Sequence, residues 1–234
     1  GMECRVDLSA TKMAGRKLNN PDQAGICYMA IHSIPASGFK RLDEVFAPLR
    51  EKRNVRNRRM VTNINGLMKP YGIEVDFDRD VVPISQYRNG GSITERHVLC
   101  ALSQKILDKA PKGGCADFVE QELGIALNDT AKARLSDPEN PHLIYDLLGV
   151  MKAELVSKIY VPATDECMPF ADLVKLADEV GAILCYPYLG DVTDSVTGDK
   201  KAAKFEDDFL DELFEMLKEE GVHGVTYMPA RNTK

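Results

Sequence analysis

The chain contains 234 residues, of which 44% are hydrophobic and 28% charged, and its formal net charge is −6. These values are ordinary for a soluble globular protein of one domain, or of one domain with an insertion. The acidic balance argues against general nucleic-acid binding. No apolar run approaches the roughly 20 residues of a membrane span, so we expect no membrane partner.

The first 38 residues predict two strands. Residues 2–8 (MECRVDL) alternate between apolar and polar side chains, and residues 25–34 (GICYMAIHSI) are rich in aromatic and β-branched side chains. The sequence Asn-Asn-Pro-Asp between them is typical of a turn.

The central part of the chain, residues 39–160, is predicted to be a mostly helical insertion. The large side chains of residues 41–68 have helical spacing, which predicts one helix, or two if Pro48 interrupts it. A second helix is predicted at 94–107 with Thr94 as its N-cap. Shorter helices are predicted at 117–123 and 142–159.

The last third of the chain contains the order helix, glycine, strand twice, at residues 170–188 and 205–228. This pattern is typical of an α/β fold with a parallel sheet, whose ligands bind at the carboxyl ends of strands. Those ends are predicted at Tyr186–Tyr188 and Met228–Asn232. Residues 1–38 and 161–234 are therefore predicted to form one α/β layer, interrupted by the helical insertion.

The six cysteines are spread along the chain without a Cys-x-x-Cys pair, which argues against a zinc ribbon and against a disulfide framework. Most of them lie in apolar surroundings, such as Cys100 in VLCAL and Cys185 in AILCY. Because buried free thiols are typical of a reducing compartment, we expect a cytoplasmic protein.

An arginine-rich run, REKRNVRNRRM, lies at residues 50–60. Arg53 and Arg56 fall on the apolar helical stripe that leads from Leu49 to Met60. A guanidinium remains charged, and it is costly on a buried face unless an anion meets it. Two guanidiniums one turn apart suit a phosphate, which accepts paired hydrogen bonds. The alternative is a solvated basic face whose arginine stems cover apolar neighbours.

Six segments, in order along almost the whole chain, resemble the PHP (polymerase and histidinol phosphatase) family. The closest branch is that of the nucleoside-bisphosphate phosphatases with a helical insertion. The segments are GMEC at 1–4, GICYMAIHSI at 25–34, RNVRNRRMVTNI at 53–64, SITERHVLCAL at 92–102, residues 159–191, and GVHGVTYMPARNT at 221–233. The resemblance implies a partial or distorted βα barrel that carries a mostly helical insertion.

The resemblance also implies a cluster of divalent metal ions (Mn, Zn, Fe or Mg), which bridge phosphate oxygens and activate water. Glu3 matches a metal-binding glutamate, and Cys27 falls where a metal-binding histidine is expected. The family's opening His-x-His strand would precede residue 1, and its closing Asp-x-His strand would follow Lys234. With so few matched ligands, we expect no stoichiometric metal in this chain.

The phosphate-binding residues of the family are better matched. Arg53 and Arg56 match its Arg-x-x-Arg, and His97 matches the histidine that follows. Glu95 stands where the family has an arginine, and Arg96 can replace that charge. Tyr186 replaces the histidine of an Ala-His-Pro motif. Its phenol can donate to a phosphate oxygen, and we expect it to face the same cleft as Glu3.

Together these features favour a PHP-like, metal-dependent phosphoesterase acting on a nucleotide-type small molecule, inactive or degenerate in the chain as it stands. The first alternative is a non-catalytic protein that binds the same kind of phosphorylated ligand, which the tyrosine at position 186 favours. The second is a helical interaction module whose basic face docks an acidic partner.

Overall fold

The computed structural model describes residues 1–20, 22–190 and 206–227. The predicted strand end at Met228–Asn232 lies outside these residues. The chain is a mixed α/β protein that divides into two compact units. The described residues of the first unit lie within 1–52, 162–190 and 206–227, and those of the second are 53–161. No described helix combines the length and the apolar character needed to cross a membrane.

The strands and helices of the described residues alternate irregularly along the chain. The strands are β1 Met2–Asp7, β2 Ile26–His32, β3 Met168–Pro169, β4 Ile183–Pro187 and β5 Gly224–Thr226. The α-helices are α1 Phe39–Met68, α2 Glu95–Lys109, α3 Cys115–Asp117, α4 Asp129–Ser136, α5 Leu143–Ile159, α6 Phe170–Val180 and α7 Leu210–Glu219, and short 3₁₀ and π-helical turns lie between some of them.

The sheet of the first unit has the strand order β3-β1-β2-β4-β5. The predicted parallel arrangement is correct for β4 and β5, but β1 pairs antiparallel with β2, and β2 pairs antiparallel with β4. A parallel pair needs a long crossover, usually helical, whereas the described part of the β1–β2 connection contains no helix. The described strands therefore form a mixed, open sheet and not a closed barrel.

One face of this sheet is covered by α6, α7 and the first turns of α1. Strand residues on that face alternate with residues on the other, as a period of two requires. The buried side chains of the covered face include Cys4, Val6, Cys27, Met29, Ile31, Leu184 and Tyr186. Gly181 ends α6 in the left-handed conformation, with φ +66°, which an L side chain rarely adopts.

The helices of the second unit surround their own apolar core. The residues of α1 from Arg53 onwards contribute Met60, Ile64 and Met68 to it, together with buried side chains of α2 and α5. The predicted insertion began at residue 39, whereas this unit begins within α1.

Helix α1 runs without a break from Phe39 to Met68, so the interruption considered at Pro48 does not occur. Proline removes the N–H that would bond the carbonyl of Glu44. Both residues are exposed, so that carbonyl is on the side that meets water. Helix α4 was not predicted, although Asn128 is its N-cap and accepts a hydrogen bond from the Ala131 N–H at 2.8 Å.

Candidate anion-binding site

The buried guanidinium of Arg56 forms the centre of the predicted phosphate site. Its side chain is 6% exposed, and its Nη2 lies 2.6 Å from Oε1 of Glu95, at the start of α2. Its Nη1 donates to the Val161 carbonyl oxygen at 2.9 Å. The anion that a buried arginine requires is therefore supplied by the chain itself, as a carboxylate from another helix of the same unit.

Asn57, the next residue of α1, makes a second connection to the start of α2. Its Nδ2 donates to the Ile93 carbonyl oxygen at 2.9 Å, and the residue is fully buried. Its Oδ1 has no hydrogen-bond partner within the described ranges. Together with the Arg56–Glu95 pair, this bond holds the first turn of α2 against the middle of α1.

Arg53 and Arg96 flank the Arg56–Glu95 pair in sequence, one on each helix. Arg53 precedes Arg56 by one turn of α1 and is half-buried, and Arg96 follows Glu95 and is exposed. Residues three apart on a helix have Cβ atoms about 5–6 Å apart. We call Arg53, Arg56, Glu95 and Arg96 the arginine cluster. It carries three positive charges and one negative charge.

His97 completes the first turn of α2 and has a structural role there. Its Nδ1 accepts the backbone N–H of Thr94 at 3.1 Å, as the side chain of a capping box does. Because Nδ1 is an acceptor, the proton of the neutral ring is on Nε2. Partial burial lowers the pKa of His97, so the ring is neutral at pH 7.

The proposed metal ligands Glu3 and Cys27 lie on opposite faces of the sheet of the first unit. Glu3 pairs with Ala30 of β2, and Cys27 is three residues before Ala30 on the same strand. Side chains an odd number of residues apart on a strand point to opposite faces. Glu3 is exposed, while Cys27 is fully buried. These two residues therefore do not fit one metal ion.

The surroundings of Cys27 also disfavour the thiolate that a metal would need. Burial raises the pKa of Cys27 well above its ordinary value, and the nearby Cys4 and Glu206 raise it further. Among the described residues, no group of three or more His, Cys, Asp or Glu side chains is placed to hold a metal ion.

Tyr186 lies on the covered face of the sheet and is fully buried. The prediction that it shares a cleft with Glu3 is wrong. Ala30 is paired with both Glu3 and Cys185, so these three side chains share one face, and Tyr186 points to the other.

The Tyr186 hydroxyl has an internal anionic partner. It donates to a carboxylate oxygen of Glu206, and it accepts the backbone N–H of Asn19 at 3.2 Å. Burial and the neighbouring carboxylate both raise the pKa of Tyr186, so the phenol keeps its proton. Like Arg56, this predicted phosphate ligand binds a carboxylate of its own chain.

The two carboxylates that bind Arg56 and Tyr186 were not predicted from the sequence. Glu95 gave a signal, because an acidic residue stands where the family pattern has a basic one. Glu206 gave none, because it belongs to the acidic run FEDDF, which resembles an ordinary solvated helix face.

Comparison with known proteins identifies no relative: no protein-family model, no curated protein and no solved structure matches this chain.

Proposed function

We propose that this chain binds the phosphate group of a small, nucleotide-type ligand at the arginine cluster, without hydrolysing it. The observation that supports the proposal is the buried Arg56–Glu95 pair at 2.6 Å, with Arg53 one turn before Arg56 on α1 and Arg96 next to Glu95 in the sequence of α2. The proposal keeps the phosphate specificity that the resemblance implies. It does not depend on the PHP-like barrel, which the resemblance also predicts.

In this proposal the Arg56–Glu95 pair positions the cluster, while Arg53 and Arg96 contact the ligand. A buried pair with a second bond to the Val161 carbonyl holds the two helices in a defined position. Arginine recognises phosphate through two parallel N–H donors, which gives both geometry and energy. Arg53 and Arg96 each carry a permanent positive charge, which suits a phosphate oxygen.

The absence of hydrolysis in this proposal follows from the placement of the matched metal ligands. Metal-dependent phosphoester hydrolysis requires several ligands that converge on the same ion. Glu3 and Cys27 point to opposite faces of one sheet, and burial favours the protonated thiol. We therefore favour a binding protein over the phosphoesterase that the sequence resembles.

Calorimetry with adenosine 3′,5′-bisphosphate tests the proposal. Arg53→Ala and Arg96→Ala should each weaken binding by about 5- to 150-fold, the range for loss of a charge-assisted hydrogen bond. Arg59→Ala is the matched control, because Arg59 is an exposed arginine of the same helix. An equal loss in all three variants would show a general charge effect and would contradict a site at the cluster.

Two further measurements distinguish the alternatives. Turnover of p-nitrophenyl phosphate with added Mn²⁺ would show that the chain is a phosphoesterase and not only a binding protein. Binding of an oligoglutamate peptide at lower concentration than the bisphosphate would favour a module that docks an acidic partner.

A further inference from the structure

Two backbone N–H groups converge on one buried carboxylate in the first unit. The N–H groups of Leu189 and Gly190 donate to Oε2 of Glu206 at 3.1 and 2.9 Å. Gly190 has φ +68°, in the left-handed region, and successive N–H groups in such a conformation form a concave anion-binding nest.

The Tyr186 hydroxyl is the third donor to this carboxylate, and its direction is determined by a neighbour. The backbone N–H of Asn19 donates to the hydroxyl oxygen at 3.2 Å, so the phenolic proton is directed to Oε1 of Glu206. Tyr186 and Glu206 are both fully buried. In the folded chain the three donors therefore surround the Glu206 carboxylate in a place that solvent does not reach.

Among the described residues, the donors that hold this carboxylate are neutral. Within the described part of the chain, Glu206 forms no ion pair with a lysine, arginine or histidine. Burial raises the pKa of Glu206, and the bonds from Tyr186, Gly190 and Leu189 oppose that effect. An arrangement of neutral donors around a buried negative charge is the chemistry of an anion hole.

We propose that Tyr186, Leu189 and Gly190 form a preformed binding site for a small carboxylate, and that the side chain of Glu206 is its internal ligand. This internal ligand ties residues 189–190 to residue 206. The site is independent of the proposed phosphate ligand.

The size of the part of the Glu206 side chain that a truncation removes indicates which small carboxylate would fit the site. Truncation of glutamate to alanine keeps Cβ and removes a methylene and a carboxylate, which together have the size of acetate. Truncation to glycine removes Cβ as well and leaves space for propionate. Glu206 itself has ordinary helical backbone angles, φ −94° and ψ −36°, so glycine is not needed there and either truncation is compatible with the backbone.

The test is rescue of truncated variants by added carboxylates, measured as the urea midpoint of unfolding by circular dichroism. Glu206→Ala should lower the midpoint, and acetate should raise it again in a saturable way, since a ligand of the folded state stabilises that state. Propionate should be less effective than acetate for Glu206→Ala, and should become effective for Glu206→Gly. Sodium chloride at equal ionic strength is the control, and the wild type should not respond to acetate.

A second variant tests the role of the phenol. Glu206→Ala combined with Tyr186→Phe should bind acetate about tenfold more weakly, the effect of losing one hydrogen bond to a charged group. If Glu206→Ala is unfolded in chloride, the same titration should restore its helical signal. An equal acetate response in the wild type, rescue by propionate that is as strong as by acetate, or no recovery would overturn the proposal.

Discussion

Truncation of Glu95 to alanine should destabilise the second unit strongly, because it leaves the Arg56 guanidinium buried without its carboxylate. Removing one partner of a fully buried ion pair costs about 3–5 kcal/mol. The Glu95 side chain is 19% exposed, and the Val161 carbonyl remains as an acceptor. We therefore expect a loss of about 2–4 kcal/mol in the free energy of unfolding.

Asp78→Ala is the matched control for this prediction. Arg58 of the same helix bonds both carboxylate oxygens of Asp78, at 2.7 and 2.6 Å, which is at least as favourable a geometry. The two side chains of that pair are 49% and 67% exposed. Because water solvates each partner once the other is removed, the control should lose far less stability than Glu95→Ala.

Urea denaturation followed by circular dichroism at 222 nm measures both variants. With an m-value of about 3 kcal/mol per molar urea, the expected loss lowers the midpoint of Glu95→Ala by about 1 M. The double variant Arg56→Met with Glu95→Leu should recover much of the loss, since an apolar pair leaves no buried charge. Equal losses in Glu95→Ala and Asp78→Ala would refute the argument that burial sets the cost.

Two further predictions concern titratable groups. The pKa of His97 is lowered in the folded state, so its contribution to stability is present above the unfolded value of about 6.5 and is lost as pH falls through the folded pKa. Wild-type stability should therefore fall more steeply between pH 7 and pH 5 than that of His97→Gln, which keeps a capping side chain; parallel profiles would contradict this. Burial raises the pKa of the Cys27 thiol, so N-ethylmaleimide at pH 7 should leave Cys27 unmodified in the folded protein and modify it in urea, as measured by peptide mass spectrometry. Labelling of Cys27 at the same rate in both states would show that the thiol is accessible.

Local sequence patterns predicted most of the elements of this fold. The alternation in MECRVDL and the composition of GICYMAIHSI correspond to β1 and β2, and the amphipathic spacing of residues 170–180 corresponds to α6. These patterns work because the period of a strand or helix and its end signals are properties of neighbouring residues. The direction of pairing between β1 and β2 was not predictable in this way, since it depends on the path of the connection.

The sequence left two interpretations of Arg56 open, a guanidinium that meets an anion and a solvated basic face. The first interpretation applies only if the guanidinium is buried, since a buried permanent charge needs an opposite charge, and the structure shows that Arg56 is buried. Its partner could not be derived, because the sequence contains 36 acidic residues and the pairing with Glu95 spans 39 positions. Only the packing of α2 against α1 brings that one carboxylate to 2.6 Å.

For Tyr186, Glu3 and Cys27, too, the local pattern determined one property and the tertiary structure another. Alternation along β4 correctly places Tyr186 on the same face as Leu184, because the side-chain period is a property of a single strand. Whether residues on different strands share a face depends on the register between those strands. Register is decided by long-range packing, which places Glu3 and Cys27 on opposite faces and directs Tyr186 to Glu206. Residue chemistry thus determined that these arginine and tyrosine side chains can donate hydrogen bonds to anions, and tertiary structure decided that they do so to carboxylates of the same chain.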